Sequence, residues 1–383
     1  MRILYFSRDY TPHDHRFLAA LAKSTHRIYF LQLEHRGHSQ EDRPLPPEVE
    51  QIRWKGGREP ANLHHGPALL ASLKQVIRAV RPHLIQAGPL QRSAFLAALS
   101  GFHPLLSMSW GYDLLVDAQR NSTWRWATRY TLKHTDLLLG DCETIRQRAI
   151  SFGMPAERIL TFPWGIDLQH FTPGDEPLSV GDPSPFMPGE GETPDDGCAA
   201  AFTLLSTRGW EPIYGIDILA RGFALAARQS PELRLIMLGN GSMAAELRRI
   251  FLEGGVEERV QLPGQVSQGE LPRYYRLAQL YISASHSDGS SISLLEAMAC
   301  GRPALVSDIP GNREWVTPGE NGWWFKDGNA QALAEALLMA VEKRRQLPVM
   351  GRAARRLVEQ RADWEQNFPS LLEAYDKLLP GLN

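Results

Sequence analysis

The chain has 383 residues, 43% of them hydrophobic and 22% charged, with a net charge of −2. That length exceeds one ordinary hydrophobic core and suits two domains, and the near-neutral balance supplies no global basic field to hold nucleic acid. The three cysteines, Cys142, Cys198 and Cys300, are far apart and form no C-x-x-C pair, which argues against a disulfide framework or a metal site and for a reducing, cytoplasmic compartment.

The chain opens on Met1-Arg2-Ile3-Leu4-Tyr5-Phe6-Ser7, an apolar run too short for a signal-peptide core and read as a first strand. From there short apolar runs alternate with amphipathic stretches. Residues 3–7, 27–33, 84–87, 105–109 and 137–140 read as strands; 16–23, 68–80, 92–99, 124–133 and 144–151 read as helices. Strand–helix alternation implies a parallel, doubly wound sheet. The helix carrying Trp124, Arg125, Trp126, Arg129, Tyr130, Lys133 and His134 has two readings. Its aromatic residues can face the core with the basic ones in water, or the whole face can lie on an anionic membrane. No stretch approaches the ~18 apolar residues needed to span a bilayer, so membrane contact is expected only as peripheral contact at the inner face.

From 173 to 200 the pattern stops. This stretch is rich in Asp, Glu, Pro and Gly and has no Lys or Arg; it reads as a linker or insertion because it has too little apolar surface to fold alone. Alternation restarts with strands at 202–206, 233–238, 260–262, 280–283 and 304–307, and helices near 216–228, 243–253, 270–278, 293–300 and 330–341. A last helix is expected over 364–379. The domains expected are thus 1–172 and 201–362, with 363–383 packing back on the first. Open α/β sheets bind ligands outside the carboxyl ends of their strands, and two such domains are expected to face each other across a cleft.

The most informative segment runs from Ser285 to Pro303: Ser-His-Ser-Asp-Gly-Ser-Ser-Ile-Ser-Leu-Leu-Glu-Ala-Met-Ala-Cys-Gly-Arg-Pro. It follows a strand and opens a helix. Gly289, Ser290, Ser291 and Ile292 form a small turn whose backbone N–H groups and helix dipole attract an anion such as a phosphate. Ser290 or Ser291 could equally be a simple helix cap. Asp288 and Glu296 stand about two helical turns apart, and carboxylates accept hydrogen bonds from sugar hydroxyls. Glu296 lies among Leu294, Leu295, Ala297 and Met298, where an unpartnered carboxylate would be costly, so a polar ligand or partner is favoured over a solvated helix charge.

This segment resembles the signature of the retaining glycosyltransferases of family 4: an acidic residue, seven residues, a glutamate, then Ala-Met-Ala-x-Gly-x-Pro. Asp288 stands where Glu is commoner. Residues 311–316, 319–322 and 163–173 (Pro-Trp-Gly-Ile-Asp-Leu-Gln-His-Phe-Thr-Pro) also match the family's usual pattern, and the N-terminal half resembles it only loosely. The resemblance implies the GT-B fold, two Rossmann-like domains, and glycosyl transfer from a nucleotide-diphosphate sugar, UDP- or GDP-linked, to a hydroxyl acceptor that is a glycan, a small molecule or lipid-linked. It implies no cofactor and no metal, and retention at the anomeric carbon.

Carried over by resemblance, Glu296 would bind the donor ribose and Asp288 the sugar hydroxyls. The turn Gly289–Ile292 would hold sugar and distal phosphate, Gly239 and Gly241 would line the donor, and Val266 would border the base. The two glycines read equally as a tight turn. Arg208 would grip the diphosphate, for which its fork is suited, but Ile213 stands where relatives carry a second cation, Lys. In the first domain Asp113, following Ser109-Trp110-Gly111-Tyr112, is a candidate for orienting the acceptor or polarising the sugar, or else a helix cap. Trp110, Asp14, His15 and Arg16 are the other acceptor-side candidates. The rivals are a nucleotide-sugar epimerase on the same fold and a non-catalytic nucleotide-sugar binder. A dinucleotide oxidoreductase is disfavoured, since no G-x-G-x-x-G follows the first strand.

Overall fold

Ile3, Leu4, Tyr5 and Phe6 are each at most 1% exposed. A strand buried on both faces belongs inside a covered parallel sheet, and a computed structural model, which describes residues 1–35, 41, 43–57, 63–174 and 201–380, has that architecture twice. In the first unit β1 (Arg2–Ser7), β2 (Arg27–Gln32), β3 (Glu50–Gln51), β4 (Leu84–Gly88), β5 (Leu105–Met108), β6 (Leu137–Gly140) and β7 (Ile159–Thr161) form a wholly parallel sheet of order β3-β2-β1-β4-β5-β6-β7. In the second, β8 (Phe202–Ser206), β9 (Leu233–Leu238), β10 (Val260–Gly264), β11 (Leu280–Ser283), β12 (Ala304–Ser307) and β13 (Gly322–Phe325) are ordered β10-β9-β8-β11-β12-β13, again all parallel.

Alternation along the strands of the second sheet divides its apolar residues between two cores. Leu204, Leu235, Met237, Leu280, Ile282 and Leu305 face one layer of helices, and Leu205, Ile236, Leu238, Tyr281 and Val306 face the other. In both sheets the chain runs outward from the middle strand in one direction and then returns to build the other half. The reversal falls between β1 and β4, and between β8 and β11. At these points neighbouring connections leave in opposite directions, so the strand ends open a crevice.

The two units divide at Pro163/Trp164 and again at Gln366/Asn367, nine residues before the expected boundary at 172. The reason is packing. Residue Ile166 bridges to Asp363, Phe171 is buried in the second unit's core, and Arg355 Nη1 donates to the Phe171 carbonyl at 2.6 Å. The expected single helix over 364–379 is two, Trp364–Asn367 and Pro369–Leu378, the second opening on a proline, whose missing N–H costs nothing in a first turn. The second of these belongs to the first unit, where Tyr375 is fully buried and its hydroxyl bonds to the Gln86 amide oxygen. Strands β3, β7 and β13 and the helix Leu347–Arg361 are additions to the elements expected from sequence. The acidic stretch 173–200 lies, from residue 175 on, outside the described residues.

Candidate functional site

Arg208 follows β8 and Asp288 follows β11, so the reversal point of the second sheet brings together two residues eighty positions apart. Arg208 Nη2 lies 2.7 Å from Asp288 Oδ2, with the two side chains 12% and 16% exposed. Its Nη1 donates to Ser291 Oγ at 2.9 Å and to Ser293 Oγ at 3.0 Å. The guanidinium carbon stands 4.1 Å from the centre of the Tyr214 ring, a cation–π contact. Nε has no hydrogen-bond partner among the described residues.

Ser293 links this cluster to Glu296. Tyr281 hydroxyl and Ser293 Oγ are 2.9 Å apart. The Tyr275 hydroxyl lies 3.1 Å from the Ser293 carbonyl and donates to Glu296 Oε2 at 2.8 Å, while Thr207 Oγ1 sits 3.0 Å from it. Glu296 is 7% exposed on helix Ile292–Ala299, so the expected buried carboxylate is present and has a protein partner. Ser291 occupies the N-cap position but makes no side-chain cap bond; its hydroxyl is committed to Arg208 instead. Ser290 turns elsewhere and accepts from the Trp315 indole at 3.1 Å.

Electrostatics holds the pair together. Burial acts against the Arg208 charge, but the Asp288 carboxylate, then Tyr214, Tyr281 and Tyr275, outweigh it and raise the guanidinium pKa, so it stays charged. Burial pushes the Asp288 carboxyl above the usual range, opposed chiefly by Arg208. The Tyr275 hydroxyl is held well above its ordinary pKa by burial and then by Glu296, which keeps it a donor.

Glycines shape the walls. A Cβ on Gly311 would stand 2.3 Å from the Asp288 carbonyl oxygen and 2.6 Å from that of Gly289, so only glycine lets the short helix Pro310–Arg313 support the turn from below. A Cβ on Gly241 would meet the Trp210 carbonyl oxygen at 2.3 Å. Gly239 has φ +102° and donates its N–H to the Gly264 carbonyl at 2.8 Å, which places the loops after β9 and β10 side by side. Val266, in the latter loop, packs half-buried against the core beneath. Ile213 lies in the turn Pro212–Tyr214 and accepts from the His286 N–H at 2.9 Å through its carbonyl.

The acceptor-side candidates of the first unit are arranged differently. Asp113 is 0% exposed. Its Oδ1 accepts from Ser109 Oγ at 2.6 Å and the Leu114 N–H at 2.9 Å, and its Oδ2 from the Leu90 N–H at 3.0 Å. Burial lifts its pKa to about 6, with these hydrogen bonds opposing. Asp14, also 0% exposed, completes a capping box with Thr11 at the start of helix Pro12–Ala22 and accepts from Tyr5 at 3.1 Å; burial raises it, too, to about 6. Both carboxylates are therefore occupied by hydrogen bonds from the protein. His15 Nδ1 is 2.7 Å from the Tyr10 hydroxyl. Trp110 is half-buried with its ring 5.3 Å from that of His13. Arg16 lies half-buried on the same helix as Asp14.

Sequence reasoning passed over Ser293, Tyr275, Tyr281, Tyr214 and Thr207. Single polar atoms on otherwise apolar elements leave no spacing signature; a tyrosine within a buried strand or helix was the available sign, since its hydroxyl needs a partner.

Residues 202–357 match the family model of glycosyl transferases group 1, and residues 13–170 match that of glycosyltransferase family 4. The chain is 25% identical over 249 residues to the amylovoran biosynthesis glycosyltransferase AmsK of Erwinia amylovora, covering 63% of this chain and 56% of that one. To a D-inositol 3-phosphate glycosyltransferase of Pseudarthrobacter chlorophenolicus it is 28% identical over 229 residues, 58% of this chain and 51% of the other. The chain spans about half the length of these curated relatives. Among solved structures, the sucrose-phosphate synthase of Thermosynechococcus elongatus superposes with a TM-score of 0.79 at 20% identity, covering 99% of both chains. HepE of Anabaena, in complex with UDP, superposes with a TM-score of 0.74 at 18% identity, over 99% of this chain and 100% of that one. Both share the fold.

Proposed function

We propose, from the premise that this chain belongs to the GT-B glycosyltransferases of family 4 with its group 1 domain at 202–357, that it moves a sugar from a nucleotide-diphosphate donor to a hydroxyl acceptor. The observation that carries the reading is the Arg208–Asp288 pair at the reversal point of the second sheet, joined through Ser293 and Tyr275 to Glu296. A guanidinium and a glycine-serine turn offer donors to a diphosphate. Two carboxylates on the same network offer acceptors to sugar and ribose hydroxyls.

In this reading a nucleoside diphosphate leaves as negative charge builds on its distal phosphate, and fixed cations placed there act on the transition state. Arg208 supplies that charge and the Ile292–Ala299 N-terminus adds to it, so transfer proceeds without a divalent metal. The departing phosphate takes the acceptor's proton on the same face of the sugar, and the product retains the donor's anomeric configuration. UDP- and GDP-linked sugars are the donors to examine first; the acceptor is a glycan, a small molecule or a lipid-linked hydroxyl.

The test has two stages. A panel of nucleotide sugars is screened by thermal shift, where a ligand at ~100 times its Kd adds about 2.7 kcal/mol of stability. The donor that shifts the transition is then incubated with hydroxyl acceptors in EDTA, and the new bond is assigned by NMR coupling constants. No stabilisation by any nucleotide sugar refutes the reading. A metal requirement or an inverted product refutes the mechanism while leaving donor binding intact.

A further inference from the structure

Helix Ser122–Lys133 reads Ser-Thr-Trp-Arg-Trp-Ala-Thr-Arg-Tyr-Thr-Leu-Lys and contains no acidic residue. It turns Ala127, Thr128, Thr131 and Leu132 to the core. The two threonines are fixed there, Thr128 accepting from Gln91 Nε2 at 2.8 Å and Thr131 donating to the Leu90 carbonyl at 3.0 Å. These contacts set the helix's rotation, and they leave its largest apolar side chain outside: Trp126 is 56% exposed. Trp124 is half-buried and Tyr130 packs against the core, so the reading that turned the aromatic residues inward holds for these two and fails for Trp126.

Two stripes run side by side along the helix, one aromatic and exposed at Trp126 but half-buried at Tyr130 and His134, the other basic and exposed throughout. Trp126, Tyr130 and His134 follow one another at four-residue spacing, with ring centres 5.6 Å and then 4.2 Å apart, and Phe95 closes on Trp126 at 5.6 Å. Beside them Arg125, Arg129 and Lys133 repeat at the same spacing, all exposed and without an ion pair among the described residues. Arg92 and Arg120 flank the start of the helix, their guanidinium carbons 5.2 and 5.5 Å from the Trp124 ring centre.

We propose that this face docks the protein on an anionic lipid surface. Indole and phenol rings are favoured at the level of lipid headgroups, where one end is apolar and the other wet, and cations beside them meet the phosphates. A free soluble anion would engage the arginines but leave the Trp126 ring in water. A second copy is disfavoured by symmetry, because an isologous contact would set three cations against the same three.

Flotation with vesicles tests this. The full chain should float with vesicles of phosphatidylcholine and phosphatidylglycerol, and not with phosphatidylcholine alone. Each cation at the surface contributes roughly five-fold in binding, so Arg125→Gln with Arg129→Gln and Lys133→Gln should weaken association on the order of 100-fold. Trp126→Ser, at a position 56% exposed, should weaken it while leaving the thermal transition in place. Transfer to a soluble acceptor should be unchanged in both variants, which separates this inference from the proposed activity. Failure of the wild type to float, or equal flotation of wild type and variants, overturns it. So does a concentration-dependent dimer in sedimentation velocity that these substitutions abolish, which would assign the face to a second copy.

Discussion

Both units carry acidic residues just beyond the carboxyl ends of their strands, yet the two sets are used in opposite ways. In the second unit Asp288 faces a guanidinium across 2.7 Å and keeps 16% of its side chain open to solvent. In the first, Asp113 and Asp14 are closed off entirely and accept hydrogen bonds from the backbone and hydroxyls around them. The difference is one of partner. A carboxylate paired with a side-chain cation can share that cation with a ligand, whereas one that satisfies backbone N–H groups must break local structure to do so. Position at a strand end thus does not by itself leave a carboxylate open.

Breaking the cation side of this comparison should have the largest effect. Arg208→Gln should lower kcat by roughly 10²-fold or more, since a donor aimed at developing charge contributes on that scale. Arg208→Lys should recover only part of it, because an ammonium lacks the bidentate fork. The substitution should also lower the Tm, as Asp288 is left without its counter-ion, and steady-state kinetics on the folded fraction separates the two effects. A kcat within a factor of a few of wild type would remove Arg208 from the reaction.

The first unit should answer to pH rather than to substrate. Asp113 and Asp14 titrate at about 6 when folded, against 3.8 for the free side chain. Between those values the folded state holds protons that the unfolded state has released. Stability should therefore fall as pH rises from about 4 to about 6, by about 3 kcal/mol for each group. Thermal unfolding across that range should show the decline, and Asp113→Asn should remove about half of it, leaving the share of Asp14, with the KM for donor unchanged. A flat wild-type profile, or a raised KM in the variant, would mean that Asp113 is not sealed in as its hydrogen bonds indicate.

Glu296→Gln sits between the two extremes. It keeps an acceptor for Tyr275 but loses the charge toward ribose hydroxyls, a loss of about 1.5–3 kcal/mol, or roughly 10–150-fold, expected in donor KM more than in kcat. Isothermal titration with the nucleoside diphosphate reads it directly; equal affinity in the two proteins would leave Glu296 a structural partner of Tyr275.

Strand spacing made the two doubly wound sheets legible in advance, because residues such as Leu204–Leu205 and Leu235–Ile236 must be covered on both faces. The strands β3 and β7 were not, since two or three residues carry no period, and the four residues of β13 were passed over. The Asp288–Glu296 segment was legible through its resemblance, and its apolar neighbours foretold that Glu296 would be buried. What stayed hidden was long-range. Nothing local to Asp113 indicates that the Leu90 N–H, twenty-three residues away, will claim its second oxygen. Nor does anything near Arg208 indicate Ser291 and Ser293, more than eighty residues on, as its partners.

The smallest expected effect concerns the position where relatives carry a second cation. Ile213 is half-buried in a single turn of 3₁₀ helix, and the next residue, Tyr214, lies against the Arg208 guanidinium. Its backbone is already fixed by the His286 N–H, so a longer side chain need not move the turn. In Ile213→Lys the four-carbon stem can follow the apolar path of the isoleucine and carry the ammonium outward. A partly exposed charge pair contributes up to about 1 kcal/mol, so donor affinity should tighten about five-fold, and the gain should shrink as salt is raised. If the donor phosphates lie where Arg208 places them, kcat should rise or hold while KM falls. An affinity unchanged at low salt would show that the diphosphate does not pass this turn, and with it would go the assignment of position 213 to an unfilled half of the clamp.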